Sequence, residues 1–198
     1  MIIYQESQAK DCPIAQKIVS QYTDATVLDI KHYKNVFDKQ LVIPENEKAI
    51  LLAKNTGSFA LPAPVGYGHA GKGYFLRNTY NCPFSCQYCY LQGAFKHRAL
   101  TVFVNYDDLK QEIQNICNQY PDEEIWFYAS NWSDPLGTEM VTHFCQEFIP
   151  FIDSIPNARL EIRSKSNYID PLVDTIAVSP NTEVCFSLNP QEIIAKYE

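Results

Sequence analysis

The sequence predicts an α/β protein in which a small N-terminal α/β unit, residues 1–65, precedes a partial barrel of parallel strands and helices, residues 66–198. Three observations support this prediction. Short apolar runs of strand length alternate with longer segments whose apolar residues recur at helical spacing. A stretch rich in proline and glycine, residues 61–73, separates the two parts. Two late strands carry one apolar and one polar face, as strands around a wet interior do.

The N-terminal unit contains three predicted strands and one helix. The strands are predicted at residues 2–4, 26–30 and 49–52. Between the first two strands, Ile14, Ile18 and Tyr22 recur at helical spacing, and Asp11 is placed to cap the helix that they form.

The second part repeats a strand-then-helix pattern. Strands are predicted at residues 74–77, 125–128, 159–165 and 183–189. The helices between and after them are predicted to begin near Asp107, Thr138, Asp170 and Pro190. Strands that alternate with helices imply parallel βαβ units.

The polar faces of the last two strands are expected to line the barrel interior. Alternating side chains point to opposite faces of a strand, and helices would cover the apolar faces. The polar sets are Glu161, Arg163 and Lys165 in one strand and Cys185, Ser187 and Asn189 in the other. The alternative is a pair of edge strands whose polar face meets solvent.

Bulk composition excludes several classes of protein. No run approaches the roughly 18 apolar residues of a membrane helix, and the N-terminus lacks the features of a secretory signal. We therefore expect a cytoplasmic protein with no membrane partner. Seven cysteines are an odd number, which disfavours a secreted disulfide framework. The net charge of −7 argues against a protein that coats nucleic acid. One segment, 61–104, nevertheless has no acidic residue and four basic ones, Lys72, Arg77, Lys96 and Arg98.

Three cysteines crowd into that basic segment, where residues 82–90 read CPFSCQYCY. Thiolates at this spacing can ligate three irons of a 4Fe–4S cluster and leave the fourth without a protein ligand. An open iron suits a ligand that chelates through an amine and a carboxylate, as the methionine part of S-adenosylmethionine does. Two alternatives remain open: a zinc site completed by His69 or His97, and a non-catalytic electron carrier or subunit.

The cysteine spacing resembles the signature of the radical S-adenosylmethionine superfamily, and residues 82–92 resemble the spore photoproduct lyase family. That resemblance runs along most of the chain. It implies a radical-SAM-type (β/α) barrel that cleaves S-adenosylmethionine reductively at a 4Fe–4S cluster to generate a 5′-deoxyadenosyl radical. It also implies a carbon–carbon lyase that repairs a thymine dimer in DNA. An electron donor such as flavodoxin or ferredoxin is expected as a partner. A radical enzyme that acts on a substrate other than DNA is the alternative.

The resemblance also assigns roles to individual residues. Cys82, Cys86 and Cys89 match the cluster ligands, Tyr88 and Tyr90 match a hydrogen-atom relay, and Ser133, Lys165 and Ser187 match positions that border S-adenosylmethionine, with Asn189 two residues further on. The residue types agree with part of this assignment, since Lys165 can pair with a carboxylate, and Ser187 and Asn189 can hydrogen-bond polar edges. Their ordinary alternatives are a lysine that reaches solvent, a helix cap before Pro190, and aromatic packing for the tyrosines.

Two features depart from the family pattern. The family's hydrogen-donor cysteine corresponds here to Asn131, whose amide offers no weak X–H bond, and Cys185 is our candidate substitute. The predicted barrel also lacks its last strands, so we expect either a fragment, a partner chain that completes the barrel, or a barrel that has lost activity. An open strand edge is a pairing liability.

Overall fold

The computed structural model describes residues 1–37, 48–95 and 97–198, so Lys96 of the basic segment lies outside the described residues. The strands are β1 (Ile2–Glu6), β2 (Thr26–Ile30), β3 (Ala49–Ala53), β4 (Ala60–Pro62), β5 (Lys72–Leu76), β6 (Thr79–Tyr80), β7 (Leu100–Phe103), β8 (Ile125–Tyr128), β9 (Ala158–Ser164) and β10 (Thr182–Phe186). The helices are α1 (Pro13–Gln21), α2 (Lys34–Phe37), α3 (Leu91–Ala94), α4 (Tyr106–Gln119), α5 (Glu139–Thr142), α6 (Phe144–Asp153), α7 (Val173–Val178) and α8 (Gln191–Tyr197).

These strands form two sheets in which parallel pairing dominates. The first sheet has the order β2-β1-β3-β7-β6 and is parallel except for the β6–β7 pair. The second has the order β10-β9-β8-β5-β4 and is parallel except for the β4–β5 pair. Four successive parallel strands, β5, β8, β9 and β10, lie side by side in chain order, which confirms the predicted partial barrel.

The helical face of the second sheet is its apolar face, as predicted. Leu160 and Ile162 of β9 are fully buried, and α6 packs against that strand. Phe144 and Phe148 of α6 are also fully buried, with their rings stacked at 4.3 Å between centroids. The sheet therefore has one face sealed by helices, which leaves its polar face for the site.

Both polar-faced strands end earlier than the sequence predicts. β9 ends at Ser164 and β10 at Phe186. The backbone N–H of Lys165 donates to Asp134 Oδ2 instead of a neighbouring strand, so β9 leaves the ladder there. Lys165, Ser187 and Asn189 consequently lie just beyond the carboxyl ends of the strands and not within them.

Two details of the helices also differ from prediction. Asp11 does not cap α1, because Cys12 is the N-cap, makes no side-chain capping bond, and precedes Pro13 in the first turn. The helix predicted from Thr138 is split into α5 and α6 at His143, whose φ of 51° places it in the left-handed region.

The division at residue 65 remains a prediction, and strand pairing crosses it in both directions. β4 joins the second sheet, whereas β6 and β7 join the first. Within the described residues, no helix is both long and apolar enough to cross a bilayer.

Candidate active site

Four segments meet at the carboxyl edge of the second sheet. They are the cysteine loop (residues 81–90), the Ser-Asp-Pro turn (residues 133–137), the residues that follow β9, and those that follow β10. Parallel strands bring their carboxyl ends to one edge, and sites in open α/β sheets collect there for that reason.

Asn81 fixes the start of the cysteine loop. It is buried and has a φ of 68°, a conformation that asparagine tolerates better than most residues. Its side-chain amide donates to the carbonyls of His97 at 3.0 Å and Ala99 at 2.7 Å. Its own carbonyl accepts the hydroxyl of Ser133 at 2.6 Å, so the residue before Cys82 is bonded to two other segments.

The three cysteines of the loop are free thiols. Cys86 is buried and Cys82 and Cys89 are half-buried, while a turn bond from Cys89 N to Cys86 O at 3.0 Å brings two of them around one bend. Burial raises the pKa of the Cys82 thiol to about 12, so in the free protein it keeps its proton. A metal that binds there must displace that proton.

The thiol arrangement does not suit a single metal ion. Among the described residues, no group of three or more His, Cys, Asp or Glu side chains could hold one. His69 lies elsewhere, stacked on Trp126 and 3.1 Å from Glu161. Zinc needs its ligands converged on one point. A cubane instead takes each thiolate on a different iron, so this donor set is compatible with the cluster prediction.

The Ser-Asp-Pro turn packs tightly against the cysteine loop. A Cβ at Gly137 would lie 2.8 Å from the Phe84 ring and 3.1 Å from Pro83, so glycine permits this contact. Asp134 is buried. Its carboxylate accepts hydrogen bonds from the Gly137 N–H at 2.7 Å, the Ser164 hydroxyl at 2.5 Å and the Lys165 N–H at 2.7 Å. One buried carboxylate therefore ties the end of β9 to this turn.

Lys165 points across the site to the cysteine loop and to α8. Its Nζ lies 2.7 Å from Glu198 Oε1 and 5.5 Å from the centroid of the Tyr88 ring. The Tyr88 hydroxyl and the Asn189 amide donate to the same carboxylate oxygen, and Asn189 Nδ2 also lies 2.8 Å from the Tyr88 hydroxyl. The Lys165 ammonium and the Tyr88 hydroxyl lower the pKa of the Glu198 carboxyl to about 2. The three predicted residues Tyr88, Lys165 and Asn189 thus meet at one subsite together with Glu198, which the sequence did not indicate.

Tyr90 belongs to a neighbouring aromatic cluster. Its hydroxyl donates to the backbone carbonyl of Asn131 at 2.8 Å, and its ring meets Trp132 edge-on at 5.8 Å. Burial raises the pKa of Tyr90. The two candidate relay tyrosines therefore point to different neighbours, Tyr88 towards Lys165 and Tyr90 towards the turn after β8.

On the polar face of the second sheet, Glu161 is buried beneath two basic side chains. Buried Glu161 bonds His69 at 3.1 Å and Arg163 at 2.8 Å. Cys185 lies level with Arg163 in the strand register, and burial raises its pKa. Arg163 and Glu183 on this face are exposed, so the face is polar as predicted, and its enclosure inside a barrel remains a prediction.

The structure brings together some of the residues that the sequence singled out. Tyr88, Lys165 and Asn189 converge, and Ser187 joins them through its carbonyl, 3.4 Å from Lys165 Nζ. Ser133 contacts the cysteine loop and not this group. Sequence reasoning missed Asp134 and Glu198. Only the Ser-Asp-Pro turn could have pointed to Asp134, and nothing local pointed to Glu198.

Comparisons with known proteins show to which family the chain belongs. A model of the spore photoproduct lyase family matches residues 1–198. The chain belongs to this family. A spore photoproduct lyase from Geobacillus sp. is 23% identical over 215 residues, which cover 100% of this chain and 58% of the relative. The spore photoproduct lyase of Bacillus subtilis is 19% identical with the same coverage.

Solved structures of spore photoproduct lyases share the fold. A cysteine-to-serine variant superposes with a TM-score of 0.85 at 22% identity, over 99% of this chain and 58% of its own. A variant with bound AdoMet and dinucleoside spore photoproduct gives 0.83 at 21% identity, with the same coverage. The chain thus spans 58% of the length of these spore photoproduct lyases.

Proposed function

We propose that the chain holds a 4Fe–4S cluster on Cys82, Cys86 and Cys89 and binds S-adenosylmethionine beside it, as part of a radical lyase. The observation that carries this proposal is the convergence of a three-thiol loop with Lys165 at one sheet edge. When bound, the cluster and S-adenosylmethionine supply one-electron chemistry that no side chain provides.

The chain's own residues do the binding and positioning in this proposal. Lys165 pairs with the carboxylate of the cofactor, and Tyr88 and Asn189 donate hydrogen bonds to the same group. Asp134 holds the backbone of Lys165 in place. Asn81 and Gly137 keep the cysteine loop against the turn after β8, so the thiols and the ammonium stay in one geometry.

The cluster proposal is tested by single cysteine replacements. C82S, C86S and C89S should each lose most of the iron and sulfide bound after anaerobic reconstitution, and with it the release of 5′-deoxyadenosine from S-adenosylmethionine. C12S is the matched control, because Cys12 is also a half-buried thiol but lies at the start of α1. Full iron retention in C86S would contradict the proposal.

For the substrate we propose a thymine lesion in DNA. The support is family membership and the dinucleoside spore photoproduct named with similar structures. Conversion of dinucleoside spore photoproduct to two thymidines by the reduced, reconstituted protein would support this choice. An intact lesion beside continued 5′-deoxyadenosine release would favour a substrate other than DNA.

The return of a hydrogen atom to the product is the step of the proposed cycle at which this chain departs from the pattern that the resemblance implies. Asn131 presents a backbone carbonyl to Tyr90 and has no weak X–H bond in its side chain. We propose Tyr90 as the donor, because its hydroxyl lies at the carboxyl edge, whereas Cys185 lies further along the polar face beside Arg163. The phenoxyl radical left on Tyr90 is returned to the phenol by one electron from the external electron donor and one proton from solvent. Deuterium from solvent should therefore enter the product in the wild type, and far less in Y90F.

Further β/α units are proposed to complete the barrel at β10. This strand pairs only with β9 among the described strands, and large apolar residues near it are exposed: Val178 at 80%, Phe186 at 46% and Leu188 at 85%. An exposed apolar sheet edge favours strand addition. The spore photoproduct lyases that the chain matches are longer than it is.

An electron donor such as flavodoxin or ferredoxin is proposed to approach near Arg98. Two other basic side chains of the segment are engaged, Lys72 by Glu123 and Arg77 by the Ser58 carbonyl. Arg98 is exposed and, with Cys82, lines a cavity of about 200 Å³. A cation beside a cluster ligand would attract an acidic donor, so R98E should slow cluster reduction by the donor but not by dithionite.

A further inference from the structure

Tyr90 must be restored after each turnover of the proposed cycle, because a tyrosine that gives up a hydrogen atom is left as a phenoxyl radical. Restoring the phenol takes one electron and one proton. The proton has a short path, since 62% of Tyr90 is exposed to solvent, whereas its hydrogen-bond partner, the Asn131 carbonyl, has no proton to give. The electron comes from a protein proposed to dock near Arg98, so it must cross part of this chain.

The ring that Tyr90 contacts, among the described residues, is that of Trp132. The two rings meet edge-on with their centroids 5.8 Å apart. A second link runs through bonds, because the Tyr90 hydroxyl donates to the carbonyl of Asn131, whose peptide unit continues into Trp132. An indole loses and regains one electron at potentials close to those of a phenol, whereas a phenylalanine ring does not. Trp132 is therefore coupled to Tyr90 both through space and through bonds.

Trp132 also reaches towards the cavity proposed for the electron donor. Its ring meets the Phe95 ring edge-on at 5.6 Å and the Tyr80 ring at 6.4 Å, and Phe95 stacks on Tyr80 at 5.1 Å. Phe95 lines the same cavity of about 200 Å³ as Arg98. A run of ring contacts thus leads from that cavity to Tyr90, and its last member before Tyr90 is the oxidisable indole.

The backbone holds Trp132 in this position. Trp132 forms a parallel bridge with Tyr80 of β6. The next residue, Ser133, donates its hydroxyl to the carbonyl of Asn81 at 2.6 Å. Electron tunnelling falls steeply with distance, so a relay needs its rings at fixed separations, and these two bonds supply that constraint.

We infer that Trp132 is an electron relay that returns Tyr90 to the phenol. This inference rests on the proposed function, because it takes Tyr90 as the donor of the hydrogen atom. Trp132 gives one electron to the Tyr90 phenoxyl radical, solvent gives one proton, and the phenol forms again. The oxidised indole is then reduced by one electron from the flavodoxin or ferredoxin donor. Trp132 acts only through Tyr90 and does not touch the substrate.

The first test uses the cluster-free protein and pulse radiolysis with azide radicals, which oxidise indoles selectively. Its parent is W126F/Y80F, in which Trp132 is the sole tryptophan of the chain and Tyr90 is its tyrosine contact among the described residues. We expect the indolyl radical to be replaced by a tyrosyl radical in a first-order step. Adding Y90F should slow this step about tenfold or more. An equal rate with and without Tyr90 would overturn the relay.

The second test measures repeated conversion of dinucleoside spore photoproduct by the reconstituted protein, with pre-reduced flavodoxin or ferredoxin as the only reductant. W132F keeps an aromatic ring that cannot be oxidised, whereas W132Y keeps an oxidisable one. In W132F we expect a normal first turnover, later turnovers about tenfold slower, and a tyrosyl EPR signal that accumulates. W132Y should restore most of the rate. W126F is the matched control, because it removes the chain's other tryptophan, which stacks on His69.

The failures of the two proposals are distinguishable. Equal rates of W132F and wild type over many turnovers would overturn the relay and leave the proposed function standing. An equal loss of rate in W132F and W132Y would also overturn it, because ring packing and not electron transfer would then be responsible. If the wild type releases no 5′-deoxyadenosine while its cluster is intact, the proposed function falls, and the inferred role of Trp132 falls with it.

Discussion

The carboxylate of Asp134 accepts the backbone N–H of Lys165 at 2.7 Å. This bond links the turn after β8 to the residue that reaches into the site. It also explains why β9 ends at Ser164, since the next N–H points to Asp134 and not to a strand. Asp134 accepts hydrogen bonds through both of its carboxylate oxygens and thereby sets the backbone position of Lys165.

Replacing Asp134 should loosen that link. D134A leaves the N–H groups of Lys165 and Gly137 and the hydroxyl of Ser164 without their acceptor, at a cost of about 2–4 kcal/mol in unfolding free energy. D134N should cost less, because one amide oxygen still accepts. Urea denaturation measures the loss, with the exposed acid variant D122A as a control that should stay within about 0.5 kcal/mol of wild type.

Gly137 should control cluster retention more than global stability. The Cβ of G137A would lie 2.8 Å from the Phe84 ring, so the cysteine loop must shift away from the turn. We expect less iron per chain after reconstitution and a modest change in thermal midpoint. G93A is the matched control, since a Cβ there meets nothing within 4 Å. Equal iron loss in both variants would show that the contact is unimportant.

Glu139 should make stability depend on pH. It is buried, and its carboxylate accepts the N–H groups of Cys145 at 2.7 Å and Gln146 at 3.0 Å in the first turn of α6. Burial raises the pKa of this carboxyl. The folded state therefore holds the proton more tightly than the unfolded state, and stability from this group is lost as pH rises through the folded pKa.

Comparison with E139Q isolates that effect. Below the unfolded pKa, both states of the wild type carry the proton and the difference in unfolding free energy is greatest in favour of the wild type. The difference should shrink as the pH is raised towards 7. A difference that grows over this range would contradict the raised pKa.

Replacing Asn131 with cysteine should improve the return of a hydrogen atom to the product. N131C keeps the backbone carbonyl that Tyr90 uses and adds a thiol at the position where the resemblance to the family implies a hydrogen-donor cysteine. If the substrate is the DNA lesion, N131C should give more fully reduced thymine product and fewer abortive products than the wild type. N131S is the control, because serine is similar in size to cysteine but has no weak S–H bond. An equal gain in N131S would show that the smaller side chain, and not the thiol, is responsible.

The sequence predicts local features of this fold well and relationships between distant segments poorly. Apolar runs located β1, β3 and β8 because burial on both faces of a parallel sheet demands them, whereas β2 is an edge strand with four of its five residues exposed. The sequence does not predict that β6 and β7 join the sheet of the N-terminal strands. Their pairing depends on the path of the cysteine loop, which connects them.

The site shows the same division. Cysteine spacing identified the loop, because cluster ligation imposes a sequence pattern. The hydrogen-bond donors to Glu198 are Tyr88, Lys165 and Asn189, which come from three separate segments. No spacing rule in the sequence connects them. The role of Asp134 could not be predicted, because the sequence does not show which distant donors a buried carboxylate binds.

The EPR spectrum of the anaerobically reconstituted, dithionite-reduced protein tests the central claim most directly. We predict a reduced 4Fe–4S signal that changes when S-adenosylmethionine is added, with 5′-deoxyadenosine released. A cluster signal that is identical with and without S-adenosylmethionine would contradict the account.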